Sequence, residues 1–228
     1  SKNYTCHEVG KAFGVLKLRN LPVELSLPRT EIKTGSGHKG FSVDIDPDLP
    51  FSRSVQRRDF TINAIGLDPL TNELFDPTGG IADIEKRLLR HIGPAFSEDP
   101  LRVLRAMQFI ARFNLNISSQ TLSLCKSISM ENLPPERLFE EWKKLLIKGN
   151  NLSAGLNFLS DCNWLKYFPE LLALVGCKQE PEWHPEGDAW VHTLHCMDAF
   201  ARERTGNEWE DLVVGFAVLC HDLGKPMT

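Results

Sequence analysis

One acidic and two basic side chains stand three residues apart in the segment SEDPLRVLRAMQF. Asp99, Arg102 and Arg105 would lie roughly on one face of a helix that begins near Ser97. A carboxylate beside a guanidinium matches the amino donor and ring-nitrogen acceptor of cytosine and adenine, whereas uracil and guanine present the reverse. The pattern therefore indicates a site that selects C and A by leaving wrong bases unpaired. The alternative is an ordinary helical salt bridge, worth about 0.2–0.5 kcal/mol.

A second polar cluster lies in RRDFTINA, residues 57–64. Asp59 and Asn63 are spaced i,i+4, and they would share a face if FSRSVQRRDFTINAIGL forms a helix capped by Ser52, as its pattern predicts. The neighbouring arginines present planar donor forks that suit phosphate. The segment therefore favours a site for a phosphorylated ligand, with a surface ion-pair cluster as the alternative.

Two motifs overlap in GSGHKGFSVDID, residues 35–46. Gly35, Gly37 and Gly40 form G-x-G-x-x-G, but a dinucleotide loop must open a helix, and the following FSVDIDPDLPF cannot begin one. Asp44 and Asp46 could hold one cation if they lie on a strand, whereas the sequence DPDLP after them favours a turn. We predict that residues 32–50 are mainly loop and that neither motif is a ligand site.

The elements that position these residues follow from short-range patterns. Residues 12–31 alternate like short strands, and TNELFDPTGG contains a short strand and a Gly-Gly turn. Helical patterns occupy residues 81–148 and predict one or two further helices over 151–175. After the polar linker GCKQEPEWHPEGD, the segments VHTLHCMDAFARER and DLVVGFAVLCHDLGK also predict helices. The expected fold class is α+β, mostly α.

Composition and charge narrow the class of protein. The 228-residue chain has no run near the roughly 20 apolar residues of a membrane span, and its six cysteines contain no C-x-x-C. We expect a cytoplasmic protein with reduced, mostly buried thiols. Residues 179–228 carry ten acidic and three basic side chains, whereas the remainder has a slight basic excess. A polyanion would therefore meet the first part of the chain.

Six ordered motifs resemble those of bacterial CCA-adding tRNA nucleotidyltransferases: EVGKAFGVLKL, VELSLPRTE, RRDFTINAIGLDP, DPTGG, RLLRHIGPAFSEDPLRVLRAMQFIARF and PPERLFEEW. Bacterial poly(A) polymerases share several of them, but LRHIGPAFSEDPLRVLR is closer to the CCA-adding enzymes. The resemblance covers essentially the whole chain. It implies a DNA polymerase β-like head followed by helical neck and body domains, and addition of C, C and A to tRNA 3′ ends from CTP and ATP without a nucleic-acid template.

The resemblance also implies a set of nucleotide-binding residues: Arg58, Asp59, Asn63, Asp99, Arg102 and Arg105. Arg58 would contact the triphosphate, and Asp99 with Arg102 would read the base edge. Many family members carry another arginine where this chain has Gln108, so no contact is assigned there.

The front of the chain departs from the family pattern. A G-G-x-V-R-D motif and a strand with D-x-D normally precede the segment that matches Glu8–Leu18, and this sequence contains neither. Those carboxylates hold Mg²⁺ and activate the primer hydroxyl. Glu24 matches an acidic family position and could assist catalysis, or it could be an outward-facing strand residue. We therefore expect a fragment that lacks the first part of the head and is inactive alone.

The segments VHTLHCMDAF and LCHDLGKP resemble the start of an HD-type metal phosphohydrolase domain. His221 and Asp222 match the adjacent pair and His192 matches the upstream histidine, which implies a divalent transition metal. A helix-capping His–Asp pair is the alternative. His184 and His195 are interpreted as structural or exposed. The type needs a further aspartate downstream, so this domain is also expected to be incomplete.

The resulting domain prediction assigns residues 1–78 to the head, 79–148 to the neck, 149–178 to the body and 179–228 to the start of the HD domain. The expected partners are tRNA, ATP and CTP, with no membrane, and the expected head cofactor is Mg²⁺. Two alternatives stay open: a poly(A) polymerase fragment, and a non-catalytic RNA-binding module or HD phosphohydrolase.

Overall fold

The computed structural model describes residues 6–8, 15–19, 21, 23–33 and 41–227. The chain divides into two compact units. The N-terminal unit comprises residues 1–80 and 92–99, and the helical unit comprises residues 81–91 and 100–228. The architecture is α+β and mostly α, as the sequence predicts. Within the described residues, no helix combines the length and apolar character that crossing a membrane requires.

Short antiparallel strands form the first part of the N-terminal unit. Three of them make one sheet: β1 (Cys6–Glu8), β2 (Val15–Leu18) and β3 (Glu24–Ser26). A second ladder joins β4 (Arg29–Lys33) to β5 (Phe41–Ile45), with Arg29 opposite Ile45. The predicted strands over 12–31 are therefore confirmed where described. The loop prediction is wrong for residues 41–45, because their apolar–polar alternation pairs residue for residue with β4.

The segment after these strands is not the continuous helix that the sequence predicts. The helix α1 (Phe51–Ser54) lasts one turn, a 3-10 turn covers Val55–Arg57, and Arg58 is extended with φ −71° and ψ 162°. Pro50, not Ser52, is the N-cap residue. The chain then forms a second 3-10 turn at Thr61–Asn63 and a hairpin of β6 (Gly66–Leu67) and β7 (Leu74–Phe75).

Two features explain the break in this helix. The Asp59 carboxylate accepts a hydrogen bond from the Phe60 backbone N–H at 2.8 Å, and such local side-chain bonds compete with helical ones. The Phe60 ring is fully buried and packs edge-to-face on Phe96, with ring centroids 5.4 Å apart. Burial of this aromatic pair therefore directs the backbone away from the helical path.

The helical unit contains two very short parallel strands, β8 (Leu88–Leu89) and β9 (Asn116–Ile117). Its helices, counted from the one that starts at its border, are α2 (Gly80–Glu85), α3 (Leu101–Phe113), α4 (Ser119–Ser127), α5 (Pro135–Lys148), α6 (Leu152–Asp161), α7 (Pro169–Leu172), α8 (Ala189–Glu203) and α9 (Glu208–Cys220). These bounds confirm the helices predicted over 151–175 and in the acidic end, and helices occupy much of residues 81–148 as predicted.

The start of α3 differs from the prediction. Ser97 lies in a 3-10 turn, Pro94–Glu98, and Pro100 is the N-cap residue of α3. A residue that precedes proline is restricted to extended conformations, and Asp99 accordingly has φ −125° and ψ 105°. Asp99 therefore does not lie on the helix that carries Arg102 and Arg105.

Helix α3 forms the centre of the helical unit and packs against both α5 and α6. Leu104, Met107 and Ala111 of α3 are fully buried, as are Leu145 of α5 and Leu156 of α6. The remaining long helices extend this core, since α8 packs on α6 and α9 packs on α5 and α8. An apolar face at helical spacing is thus buried in each long helix.

Gly80 marks a close backbone contact within the N-terminal unit. A Cβ atom at this position would lie 2.2 Å from the Thr61 carbonyl oxygen, and the Gly80 N–H donates to Asp76 at 2.7 Å. We expect Gly80→Ala to lower the free energy of unfolding by about 1–3 kcal/mol, because the backbone at Thr61 must shift. Urea unfolding measures this change. Gly93→Ala is the control, since its added Cβ meets nothing within 4 Å. Equal stability of the two variants would contradict the packing argument.

Candidate functional site

The RRDF segment forms a hydrogen-bonded loop in the N-terminal unit. Asp59 is 7% exposed, and its Oδ1 atom accepts from the Phe60 N–H and from the Asn63 side-chain amide at 3.0 Å. Arg58 is exposed and donates from Nη1 to the Asn63 carbonyl oxygen at 2.8 Å. The structure thus brings together the three residues that the sequence singles out, although a turn replaces the expected helix. The loop can present a guanidinium to an anion from a fixed backbone.

Arg102 and Arg105 lie half-exposed on α3 in the helical unit. The Arg105 guanidinium lies 3.9 Å from Glu141 Oε1 and over the Phe109 ring, 5.3 Å from its centroid. Glu141 is 1% exposed on α5 and also accepts from Lys144 at 2.7 Å. The Glu141 carboxylate therefore attracts the Arg105 guanidinium and the Lys144 ammonium and keeps both near the surface of α3. The sequence interpretation missed Glu141, because nothing in the pattern PPERLFEEW separates it from the neighbouring Glu140.

Gln108 is a buried residue of α3. It is 1% exposed, and its Oε1 atom accepts from Arg112 Nη1 at 3.1 Å. This position therefore serves the packing of the helix.

Glu24 lies on β3 with an exposed side chain. Its Oε1 atom lies 2.6 Å from Lys17 Nζ, and the two residues face each other in the β2–β3 register. This ion pair favours the outward-facing strand residue over a catalytic carboxylate. The catalytic role of Glu24 stays a prediction.

The two overlapping motifs of residues 35–46 are only partly within the described residues. Gly35, Gly37 and Gly40 lie outside them. Asp44 lies exposed on β5 opposite Thr30, and Asp46 accepts from the Asp48 N–H at 3.0 Å in a local turn. Asp46 therefore serves as a turn residue, in accord with the sequence interpretation.

A compact group of metal-binding residue types lies in the helical unit. His192 and Cys196 share a face of α8 one turn apart, and His221 and Asp222 directly follow α9. The donor atoms of His192, Cys196 and His221 lie within 4.8 Å of one another. His221 Nε2 is 3.4 Å from Asp222 Oδ2. The structure therefore brings the predicted residues His192 and His221 together, and it places Asp222 beside His221.

Hydrogen bonds fix the orientation of both imidazole rings. His192 Nδ1 lies 2.5 Å from Glu186 Oε1, and His221 Nδ1 lies 2.7 Å from the Val218 carbonyl oxygen. A carbonyl oxygen only accepts, so Nδ1 of His221 carries the proton and the neutral ring keeps a lone pair on Nε2. An acceptor behind each ring is the usual arrangement around a metal-ligating histidine.

Glu186 stays ionised beside His192. Its own backbone N–H and the hydrogen bond from His192 hold the pKa of this carboxyl at about 2. His184 also bonds to Glu186 at 3.2 Å, and its ring contacts His192 with centroids 4.8 Å apart. His184 is therefore part of the cluster, whereas His195 is exposed.

The last two members of the cluster are a carboxylate and a thiol. Asp222 is 6% exposed, and its Oδ2 atom forms an ion pair with Lys225 Nζ at 2.8 Å. Cys196 Sγ lies 3.4 Å from His192 Nε2. Burial raises the pKa of the Cys196 thiol, and the Asp222 and Glu186 carboxylates raise it further. Two imidazoles, a carboxylate and a thiol form a donor set that suits a divalent transition metal.

The sequence interpretation missed Cys196 and Glu186. The spacing i,i+4 from His192 would have placed Cys196 on the same helical face. Glu186 lies in the turn before α8, where no periodic pattern indicates which way a side chain points.

Similarity to known proteins covers the whole chain. The family described as the poly A polymerase head domain matches residues 7–90, and the one described as a probable RNA and SrmB-binding site of polymerase A matches residues 114–174. The multifunctional CCA protein of Stenotrophomonas maltophilia (strain K279a) is 44% identical over 236 residues, which cover 100% of this chain and 56% of the relative. That of Xanthomonas campestris pv. campestris (strain B100) is 44% identical over 96% of this chain and 54% of the relative. The chain spans about half the length of these curated relatives.

Solved structures share the fold at lower identity. A tRNA-processing enzyme with CTP superposes with a TM-score of 0.58 at 24% identity, over 96% of this chain and 56% of the other. A tRNA nucleotidyltransferase complexed with a primer tRNA and an incoming ATP analog superposes with a TM-score of 0.57 at 22% identity. The match covers 94% of this chain and 68% of the other.

The buried acceptor of the RRDF loop can be tested directly. We expect Asp59→Ala to lower the free energy of unfolding by about 1–3 kcal/mol, because the Phe60 N–H and the Asn63 amide lose their common acceptor. Thermal unfolding monitored by circular dichroism measures the change. Asp48→Ala, at an exposed position, is the control and should unfold like the wild type. If the two alanine variants are equally stable, the carboxylate does not hold the loop.

Proposed function

This chain belongs to the nucleotidyltransferase family of the multifunctional CCA proteins and poly(A) polymerases, and we propose that the protein adds C, C and A to tRNA 3′ ends from CTP and ATP. The observation that carries the proposal is the 44% identity to multifunctional CCA proteins along the full length of the chain. The fold-related nucleotidyltransferase with primer tRNA and an ATP analog supports the same substrate class. The proposed domain roles are those of the sequence interpretation: head (1–78), neck (79–148), body (149–178) and start of an HD domain (179–228).

The RRDF loop is the proposed support for the triphosphate. Arg58 uses Nη1 to bond the Asn63 carbonyl oxygen, so its backbone-anchored guanidinium presents its other donors at the exposed surface. Asp59 is buried and holds the Asn63 amide, and its role is to orient the loop. A preformed anion site of this kind costs little conformational entropy when nucleotide binds.

The base-reading role is proposed for Asp99 and Arg102, and a nucleotide contact is proposed for Arg105. Arg105 is supported by the buried Glu141 carboxylate and by the Phe109 ring, which limit its freedom. The magnesium ion of the transferase reaction is proposed from the family resemblance alone, and no described residue is assigned to hold it.

The transferase proposal is tested with a tRNA that lacks its terminal CCA. The assay uses a longer protein that carries the family's D-x-D motif ahead of this segment, because the 228-residue chain is expected to be inactive alone. We expect the longer protein with CTP and ATP to add C, C and A, and to add nothing to this tRNA from ATP alone. Extension of the tRNA by a run of A from ATP alone would identify the poly(A) polymerase alternative.

In the complete enzyme, Arg102→Ala should relax base choice more than it weakens binding of the triphosphate. Loss of one charged hydrogen-bonding group in a base-reading site is worth about 1.5–3 kcal/mol, so discrimination against UTP and GTP should fall by roughly 10- to 100-fold. The measurement is kcat/KM for each nucleoside triphosphate. Arg112→Ala, on the same helix beside Phe113, is the matched control. An equal loss for all four nucleotides would contradict the base-reading role.

A second activity is proposed for the helical unit, namely metal-dependent phosphoester hydrolysis at His192, His221 and Asp222. The supporting observation is that both imidazoles bond acceptors through Nδ1, while His221 Nε2 lies 3.4 Å from the buried Asp222 Oδ2. A divalent cation held by these residues would supply Lewis acidity toward a phosphoryl group. Glu186 fixes the ring of His192 from behind, and the partly exposed His221 leaves one side of the cluster open to solvent.

Metal analysis tests the second proposal. We expect the purified chain, dialysed against Ni²⁺ or Zn²⁺ and then against buffer, to retain the ion. His221→Ala should lose it, because the remaining donors cannot hold it tightly. His195→Ala removes an exposed histidine outside the cluster and should retain the ion. Equal retention by both variants would show binding elsewhere.

A further inference from the structure

Cys196 lies where an additional ligand of the histidine cluster would be. Its Sγ atom is 3.4 Å from His192 Nε2, and the donor atoms of His192, Cys196 and His221 all fall within 4.8 Å of one another. Ligands of a tetrahedral transition-metal site with bonds of 2.0–2.3 Å stand roughly 3.5 Å apart. The observed spacing therefore needs only small side-chain movements to enclose one ion.

The thiol is aimed at this cluster by the helix that carries it. Cys196 follows His192 by one turn of α8, so the two side chains lie one above the other on the same face. Cys125 and Cys162 differ from it, because they are fully buried in the apolar core. Cys220 is exposed on the last turn of α9. Among these cysteines, Cys196 is the one that the structure places in the donor cluster.

The local charges also suit a bound divalent cation. The Lys225 ammonium lies 2.8 Å from Asp222 Oδ2 and also contacts Gln179 Oε1. The Lys225 ammonium thus neutralises the buried Asp222 carboxylate, and a bound metal ion would neutralise it instead. The thiolate and Asp222 together carry two negative charges, which balance a divalent ion between two neutral imidazoles.

We propose that Cys196 is a thiolate ligand of the metal site formed by His192, His221 and Asp222, and that it makes the site select Zn²⁺, Co²⁺ or Ni²⁺ over Mg²⁺ and Mn²⁺. The inference rests on the metal site proposed above. As the sulfur–metal bond forms, the thiol proton passes to solvent. A soft sulfur ligand favours these ions, whereas Mg²⁺ and Mn²⁺ prefer oxygen donors.

Cobalt absorption spectroscopy on the 228-residue chain tests the inference without an activity assay. The wild-type chain titrated with Co²⁺ should show the intense near-ultraviolet band of thiolate-to-cobalt charge transfer. Cys196→Ser should bind Co²⁺ without this band, and its affinity for Zn²⁺ should fall at least roughly tenfold, since changes even outside the ligand set typically cost 10–100-fold. Its weak affinity for Mn²⁺ should hardly change, because Mn²⁺ gains little from sulfur.

Cys220→Ser is the matched control, because it removes a thiol next to His221 that lies outside the cluster, and it should keep both the band and the affinity for Zn²⁺. Far-ultraviolet circular dichroism of the metal-free variants checks folding, and a wild-type spectrum without the band overturns the role of Cys196 even if a variant is unstable.

The outcomes separate the two proposals. Cobalt binding that depends on His221 but shows no thiolate band in the wild type would leave the metal site in place and overturn the role of Cys196. A band that persists in Cys196→Ser would also overturn it. If the wild-type chain binds no divalent ion, both the metal site and the cysteine ligand are wrong.

Discussion

The close packing of α3 against α6 is the constraint on which the helical unit depends. A Cβ atom on Gly155 of α6 would lie 2.7 Å from the Met107 carbonyl oxygen of α3 and 3.1 Å from the Ala111 methyl group. Only a residue without a side chain allows this approach, which lets the buried face of α3 contact α5 and α6 together. Arg102 and Arg105 therefore lie on the polar face of α3, which is not buried in this core.

The same packing extends to the histidine cluster. Helix α6 is bonded to α8 through the Ser153 N–H, which donates to Asp198 Oδ1 at 2.9 Å. The end of α8 is tied to α5, because Arg204 donates to the Leu146 carbonyl oxygen at 3.0 Å and also to that of Gly149. These bonds satisfy carbonyl groups at the end of α5 that have no helical partner. The face of α8 that carries His192 and Cys196 is therefore fixed by the core.

The two sets of candidate functional residues use different physical means. In the N-terminal unit, a buried carboxylate at Asp59 organises a turn from which Arg58 is exposed. In the helical unit, acceptors behind His192 and His221 leave Nε2 of each ring to face other donors. In both cases a supporting group, which would not contact the ligand, determines the orientation of the side chain that would bind it. This dependence explains why a resemblance in sequence identifies the residues more readily than it identifies their supports.

Short-range pattern by itself determined most of the helices. The apolar spacing of α5, α6, α8 and α9 fixes which face is buried, and the family motifs single out Arg58, Asp59 and Asn63 together with His192, His221 and Asp222. The alternation of apolar and polar residues likewise predicts the first strands. The pattern gave wrong predictions where another interaction determined the backbone. Asp59 and Phe60 interrupt the expected helix, and α3 begins only after Pro100. Residues 41–45 form β5 because they pair with β4. The placement of Cys196, Glu186 and Glu141 was decided only by the tertiary structure, because periodicity states which face a residue occupies, whereas distances between atoms on separate segments depend on how those segments pack.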